Sequence, residues 1–365
     1  HHPARHTSLA TRHFFRPPYH SLMNVGITFN LKQSGPLDPS LPDDAQEEFD
    51  SPETIEAIAG VLRGLGHKVT LLGEGRDFLE KVLASPPDFV LNYAEGTGIS
   101  RSREARVPAV LEMLGIPFSG SDPLTMAVTL DKETAKTLAA AAGVPVPRGY
   151  ALGPNEPLSA VPPGKLIFPL VAKPAWEGSS KGIRSKSLVK NPADLPAVVA
   201  DLRRDHRQTI LLEEYIAGDE VTVGVLGNDD VRVLGAMRVI PLKAREDFIY
   251  SLEMKREWQA NVRYEAPAKL DPKATAALES AAVKAYRALG CRDVARVDFR
   301  VRDGAPYFLE VNPLPGLSPE TSDLMILARG MGYTYERLIA EILDIALRRV
   351  GLAGQHSGRS KQPGC

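Results

Sequence analysis

From residue 24 onward, short apolar runs alternate with segments whose apolar positions recur every three or four residues. Asn24 to Phe29 reads as a strand. Ser51-Pro52 opens a helix, with serine as N-cap and proline at the first helical position. Its apolar side chains Ile55, Ile58, Ala59, Leu62 and Leu65 share one face, and Gly66 ends it. Lys68 to Leu72 is a second strand, 77–84 a short helix and Phe89 to Tyr93 a third strand. A helix over 104–114 and a short strand near Phe118 follow. This order predicts a parallel sheet with any ligand at the carboxyl ends of its strands. No G-x-G-x-x-G follows the first strand, which argues against dinucleotide binding and a dehydrogenase.

The texture changes near residue 121. A helix over 131–142 leads through Pro145 and Pro147 into short strands and loops. Leu166 to Lys173 is an apolar strand ending in lysine, and the loop PAWEGSSKG after it can turn backbone N–H groups and hydroxyls toward phosphate oxygens. The same residues equally suit an ordinary hairpin loop. Ile210 to Ile216 is another strand, and Gly218-Asp219-Glu220 turns the chain into Val221–Val225. Two long helices close the pattern. Asp271-Pro272 starts one with Ala274, Ala277, Leu278, Ala281, Ala285, Ala288 and Leu289 facing the core. The other, near 334–349, buries Leu338, Ile339, Ile342, Leu343 and Ile345.

Between these helices lies ARVDFRVRDGAPYFLEVN, residues 295–312. Period-two alternation puts Arg296, Asp298 and Arg300 on one face of its first strand and Val297, Phe299 and Val301 on the other. In the second strand Phe308, Glu310 and Asn312 share a face opposite Tyr307, Leu309 and Val311. A two-residue loop at Asp303-Gly304 would pair Asp298 with Leu309. An odd, three-residue loop would bring Asp298 and Glu310 together, and that loop is expected. Two carboxylates and an amide oxygen on one face suit a hard cation such as Mg²⁺ that also takes phosphate and water ligands. The alternative is a solvated face laced with surface ion pairs.

Composition narrows the picture. The 365 residues carry 44 Lys plus Arg against 45 Asp plus Glu, a net charge of −1, which gives no electrostatic reason to expect nucleic acid or an anionic membrane as partner. No apolar run approaches the roughly 18 residues of a membrane span, so a cytoplasmic location is expected. With only Cys291 and Cys365, neither a disulfide framework nor a cysteine-based zinc site is available. Residues 1–22 hold most of the histidines and no acid, as a transit peptide, an artificial appendage or a misplaced start would; Met23 immediately precedes the first strand. Both this leader and the Gly- and Ser-rich tail, 350–365, are expected to be disordered.

The ordered motifs EMLGIPFSGS (112–121), Thr129-Leu130-Asp131-Lys132, VAKPAWEGSS, LLEEYIAGDEVTV, ARVDF and FLEVNPLPGL (308–317) resemble the ATP-grasp superfamily and, within it, the D-alanine–D-alanine ligase family. The resemblance runs from about residue 50 to 347. It implies an α/β N-terminal domain (23–121) with a parallel sheet, a central ATP-grasp subdomain (122–213) and a C-terminal domain (214–349), α+β in character, with ATP between the last two. It implies an ATP-dependent carboxylate–amine ligase that forms a peptide-type amide through an acyl phosphate, with a place in peptidoglycan synthesis if D-alanine is the substrate. Lys132, Lys173 and Lys255 resemble the phosphate-contacting lysines, and Ser179 and Ser180 belong to the loop over the phosphates. Glu213, Glu214 and Ile216 match the adenine-contacting stretch and Glu220 the ribose acceptor. Asp298, Glu310 and Asn312 match the ligands of two Mg²⁺ ions, with Mn²⁺ as an alternative. Arg296 and the Gly316 N–H would stabilise developing negative charge. A homodimer is implied by the family alone.

The substrate-facing segments depart from the family. Asn30 to Phe49 offers no counterpart of its glutamate near the first amino acid, and the loop after the third strand, Asn92 to Arg101, has no histidine. Arg256 stands where tyrosine is common. Glu95, Arg101, Arg103 and Arg256 are therefore candidate substrate contacts, with Thr321 or Ser322 expected to meet a substrate carboxylate. A pocket with such altered charges points to an amino acid or small acid other than D-alanine as readily as to D-alanine. A non-catalytic ATP-binding regulator is the alternative of another class, and the retention of the lysines and carboxylates weighs against it.

Overall fold

The computed structural model describes residues 22–353, except 37, 40 and 244–246. Apart from Leu22, the leader lies outside the described residues, as does the tail beyond Ala353. Among the described residues no helix is long and apolar enough to cross a membrane.

Three sheets form in chain order. Strands β1 (Asn24–Phe29), β2 (Lys68–Gly73) and β3 (Phe89–Tyr93) make a parallel sheet in the order β2-β1-β3. Ser51 caps the helix Pro52–Gly64 by accepting the Thr54 N–H, and Ile55, Ile58 and Leu62 are buried on its inner face. Phe118 makes only a single parallel bridge to Val90 where a short strand was expected. The helix expected over 131–142 covers Lys132–Ala141, capped by the Asp131 side chain, and a separate helix, Pro123–Leu130, precedes it.

The second sheet joins β4 (Gly149–Leu152), β5 (Leu170–Pro174), β6 (Leu188–Val189) and β7 (Ile210–Glu214) in the order β4-β7-β5-β6. The strand expected from Leu166 begins only at Leu170. Helix Leu195–His206 packs against this sheet through Val198, Val199 and Leu202. The third sheet runs β10-β9-β8-β11-β12, from β8 (Asp219–Leu226), β9 (Arg232–Pro241), β10 (Val262–Glu265), β11 (Val294–Arg302) and β12 (Ala305–Asn312). Helix Pro272–Ala288 covers one face of it, burying Leu278, Ala281 and Ala285 against Val223, Val297 and Phe299. Ala288, in its last turn, is exposed instead of facing the core. Helix Tyr335–Arg349 returns to the first sheet, its Leu343 and Ala346 sharing a core with Ile58 and Leu62.

The β11–β12 hairpin corrects the expected loop. Arg302 pairs with Ala305, so the turn has two residues, Asp303 and Gly304, with φ of 52° and 77°. Both angles are left-handed, as a turn matched to the strand twist requires. The register then shifts between Asp298 and Phe299, so that Phe299 pairs with Phe308 while Asp298 pairs with Glu310. Leu309 is the extra residue of a β-bulge, and the bulge restores the pairing that the short turn would have lost. Phe308 consequently points into the core, edge-on to Phe299 at 6.0 Å, and does not share Glu310's face as strict alternation required.

Candidate active site

The carboxyl ends of the first sheet and the open face of the third enclose a cavity of about 540 Å³ whose wall includes Lys132, Ser179, Lys255, Arg296, Glu310, Asn312 and Gly316. A smaller adjoining cleft is lined by Lys173, Glu213, Glu214, Ile216, Glu220, Arg300 and Leu309. The bulge gives Leu309 to the cleft and Glu310 to the cavity, although the two are consecutive. Arg296 and Arg300 are buried, so the solvated-face alternative fails.

Lysines and carboxylates are already matched across the site. Lys132, nearly fully buried, lies 3.2 Å from Glu310 and donates to the Glu177 carbonyl. Lys173, next to last in β5, sits 2.5 Å from Glu213, whose other oxygen is 2.7 Å from Lys136. Glu213 is thus held by two lysines at the cleft wall. Lys136 was not anticipated, although it follows Lys132 by one helical turn on the same face; burial brings its ammonium down to about 8. Glu310 is held ionised against the cost of burial by Lys132, Lys173 and Arg296, well below the usual carboxylate range. Asp298 is pushed up by burial and by Glu310's charge, against the pull of Arg296.

The candidate metal set stands together. Asp298 and Glu310 are register partners, Arg296 and Asn312 are the next pair, and the Asn312 amide nitrogen is 3.2 Å from Asp298. Among the described residues, no three His, Cys, Asp or Glu side chains form a ready-made metal cage. Two acidic groups and one amide fit an ion that shares its coordination with phosphate oxygens and water, as Mg²⁺ does.

Around this set, Arg296 contacts Asp298 at 2.9 Å and Asp323 at 3.2 Å. Lys255 lies 3.4 Å from the same Asp323 and over the Tyr250 ring. Asp323, the first residue of helix Asp323–Gly330, was missed; its only sequence signal is its place after Ser322 at a helix start. Ser322 and Thr321 line the cavity, with Ser322 accepting the Ser318 N–H at 2.6 Å. Tyr93, at the end of β3, accepts the Leu317 N–H beside Gly316. In the cleft, Glu220 bonds Arg300 at 3.0 Å, and Arg300 also donates to the Ile216 carbonyl at 2.9 Å. Glu214 contacts Arg148 at 3.2 Å.

Loop residues Ser179 and Ser180 have positive φ, 48° and 61°. Ser179 faces the cavity, and the Ser180 hydroxyl donates to the Tyr250 carbonyl at 3.2 Å. The loop is pinned by the acidic stretch 43–48, within the segment that offered no counterpart of the family's glutamate. Glu48 accepts from the Gly178 N–H, from Lys181 at 3.0 Å and from Arg103 at 2.9 Å; Asp44 accepts the Gly182 N–H at 2.8 Å. Gly182 has φ +72°, and a Cβ there would lie 2.4 Å from Pro174, so no larger residue fits. Arg103 and Lys181 outweigh the cost of burial and hold Glu48 down to about 2. Arg103 is therefore a buried tie between segments. Arg256 lines the cavity but is bound to Asp43 at 2.7 Å and Glu47 at 2.5 Å. Arg101 is mostly exposed, pairs with Asp131 at 3.6 Å and is not part of the cavity wall, whereas Glu95 is.

Known proteins share this chain's sequence and fold over most of its length. A family model for the D-ala D-ala ligase C-terminus matches residues 148–344. The uncharacterised protein y4sG of Sinorhizobium fredii is 37% identical over 304 residues, covering 80% of this chain and 87% of the relative. A D-alanine–D-alanine ligase of Synechococcus sp. (strain JA-2-3B'a(2-13)) is 35% identical over 312 residues, 84% of this chain and 91% of its own. The crystal structure of D-alanine–D-alanine ligase from Bacillus anthracis complexed with ATP superposes with a TM-score of 0.70 at 25% identity, covering 91% of this chain and all of that one. Sequence relatives, family model and fold agree: the chain belongs to the D-alanine–D-alanine ligase family of the ATP-grasp superfamily, ligases that form amide bonds with ATP.

Proposed function

We propose that this chain activates a carboxylate as an acyl phosphate with ATP and passes the acyl group to an amine. The observation that carries the reading is the bulged register that sets Asp298 beside Glu310, with Lys132 on Glu310 and Arg296 on Asp298. In this reading the nucleotide base lies in the cleft by Ile216 and Glu220, between a central segment, 122–213, and a C-terminal one, 214–349. The triphosphate reaches into the cavity. Lys132, Lys173 and Lys255 exchange their present carboxylate partners for phosphate oxygens. Asp298, Glu310 and Asn312 would hold Mg²⁺, which when bound supplies charge neutralisation on the phosphates.

The substrate carboxylate oxygen bonds to the γ-phosphorus as the bond to ADP breaks. The amine nitrogen then bonds to the acyl carbon, the oxyanion collapses, inorganic phosphate leaves and the nitrogen sheds a proton. Arg296 and the Gly316 N–H stabilise the negative charge of the second step. The loop Gly178–Gly182, tied down by Asp44 and Glu48, keeps water from the acyl phosphate.

D-Alanine is the first substrate to test because several relatives are named for it; the Glu95 wall and the Arg256–Glu47 pair favour a different amino acid or small acid. The deciding experiment measures ADP release with Mg²⁺-ATP over D- and L-amino acids and small carboxylates, singly and in pairs, with mass spectrometry of the amide. Amide formation is the expected result. Tight ATP binding with no ADP release on any member would replace this reading with the regulator.

A further inference from the structure

Past the carboxyl ends of β1 and β3, where open α/β sheets receive ligands, the cavity wall is acidic. It contains Asp50, which bridges Leu31 beyond β1, Glu95, two residues beyond β3, and Glu104, in the turn that follows. Glu104 is only 7% exposed, yet among the described residues its carboxylate has no hydrogen bond or ion pair. Glu95 has none either. The adjacent cation, Arg103, is spent elsewhere: its donors go to Glu48, Glu177 and the Trp176 carbonyl. Lys32 is the one cation whose charge acts on Asp50.

Buried carboxylates with no hydrogen-bonded cation are costly to ionise, and a proton or a cation from outside the chain relieves that cost. Burial, against the pull of Arg103 and Lys132 and with repulsion from Glu48, holds the Glu104 carboxyl up to about 8; burial, against Lys32, brings Asp50 up to about 7. A small neutral amino acid brings one ammonium to three such groups. We propose that Asp50, Glu95 and Glu104 form the subsite of a basic substrate, one carrying a cationic amine or guanidinium in addition to the groups that react. The inference rests on the ligase reading and names the substrate class within it.

The test uses the full chain with Mg²⁺-ATP and measures ADP release with lysine, ornithine, 2,4-diaminobutyrate and arginine. These are compared with alanine, serine and propionate, using both enantiomers where they exist, alone and in pairs. The expected result is a kcat/KM at least tenfold higher for a basic compound than for alanine. Glu104→Gln and Glu95→Gln should each erase that preference by tenfold or more while the KM for ATP moves less than twofold. Should the buried Glu104 variant fail to fold, Glu95→Gln and Asp50→Asn carry the same measurement. Alanine or propionate turned over as well as every basic compound, or a preference that survives the variants, overturns the proposal and leaves the ligase reading standing. No ADP release with any member overturns both.

Discussion

Glu310 is the side chain on which most of the site converges, since Lys132 bonds it, Lys173 and Arg296 hold it ionised, and Asp298 faces it across the hairpin. Glu310→Gln keeps the shape and removes the charge. We expect ADP release to fall by about 10²–10³-fold, as for loss of a group that stabilises transferring charge, with a lowered melting temperature because the buried Lys132 loses its carboxylate partner. Residue-level charge also sets a pH dependence. Asp50 and Glu104 are raised from ordinary values of 3.8 and 4.5 to about 7 and about 8, so the folded chain keeps protons that the unfolded chain has released. Their stabilising contribution is whole below the ordinary carboxylate range and is lost as pH rises through 7 to 8. Thermal unfolding from pH 5 to 8 should therefore show a declining melting temperature, with a shallower decline in Glu104→Gln. Glu48, lowered from 4.5 to about 2, works in the opposite sense: its contribution is lost as pH falls from about 4.5 toward 2.

Two elements convert local chemistry into site geometry. In the hairpin, the two-residue turn and the bulge at Leu309 act as a pair. Gly304 has φ +77° and open space around its Cβ direction, the nearest atom being Ala274 Cβ at 3.7 Å. Gly304→Val should therefore cost only backbone strain, roughly 1–2 kcal/mol, read as a lower urea midpoint with an unchanged slope. In the 43–48 strap, Glu48 ties Arg103 and Lys181 to the loop Gly178–Gly182. Glu48→Gln leaves both buried cations to share Glu177 alone, a loss of up to about 3–5 kcal/mol as for a broken buried pair. It should also speed proteolysis within 178–184 in the absence of nucleotide; cleavage no faster than in the parent would show that the strap does not restrain the loop.

At the scale of the whole molecule, the last helix closes the fold onto its beginning. Leu343 and Ala346 share a core with Ile58 and Leu62, more than 250 residues away in sequence. Leu343→Ala should cost about 2–5 kcal/mol, and a chain ended at Thr334 should lose its cooperative unfolding transition. Calorimetry of the shortened chain checks this. A sharp transition at the parent temperature would mean that the first sheet does not depend on the helix. The same long-range closure is what sets Tyr93 against the Leu317 N–H and brings two sheets to one cavity.

Local order was legible in the sequence because it is written in neighbours: Ser51 and Asp271 as caps, the alternation of Val297, Phe299 and Val301, the glycine turn at 304, and the motifs that carry the family. Period-two alternation placed Asp298 beside Glu310 through the wrong device, since an odd loop and a bulge solve the same parity problem and only packing chooses between them. The core needed Phe308 against Phe299, and the bulge met that need while leaving Glu310 facing the cavity. Lys136 and Asp323 had only a faint local signature, a helical-turn spacing and a helix start, and Glu48 and the unpaired state of Glu104 had none. Their roles depend on which charges meet across segments far apart in the chain, and burial sets how much each of those meetings matters.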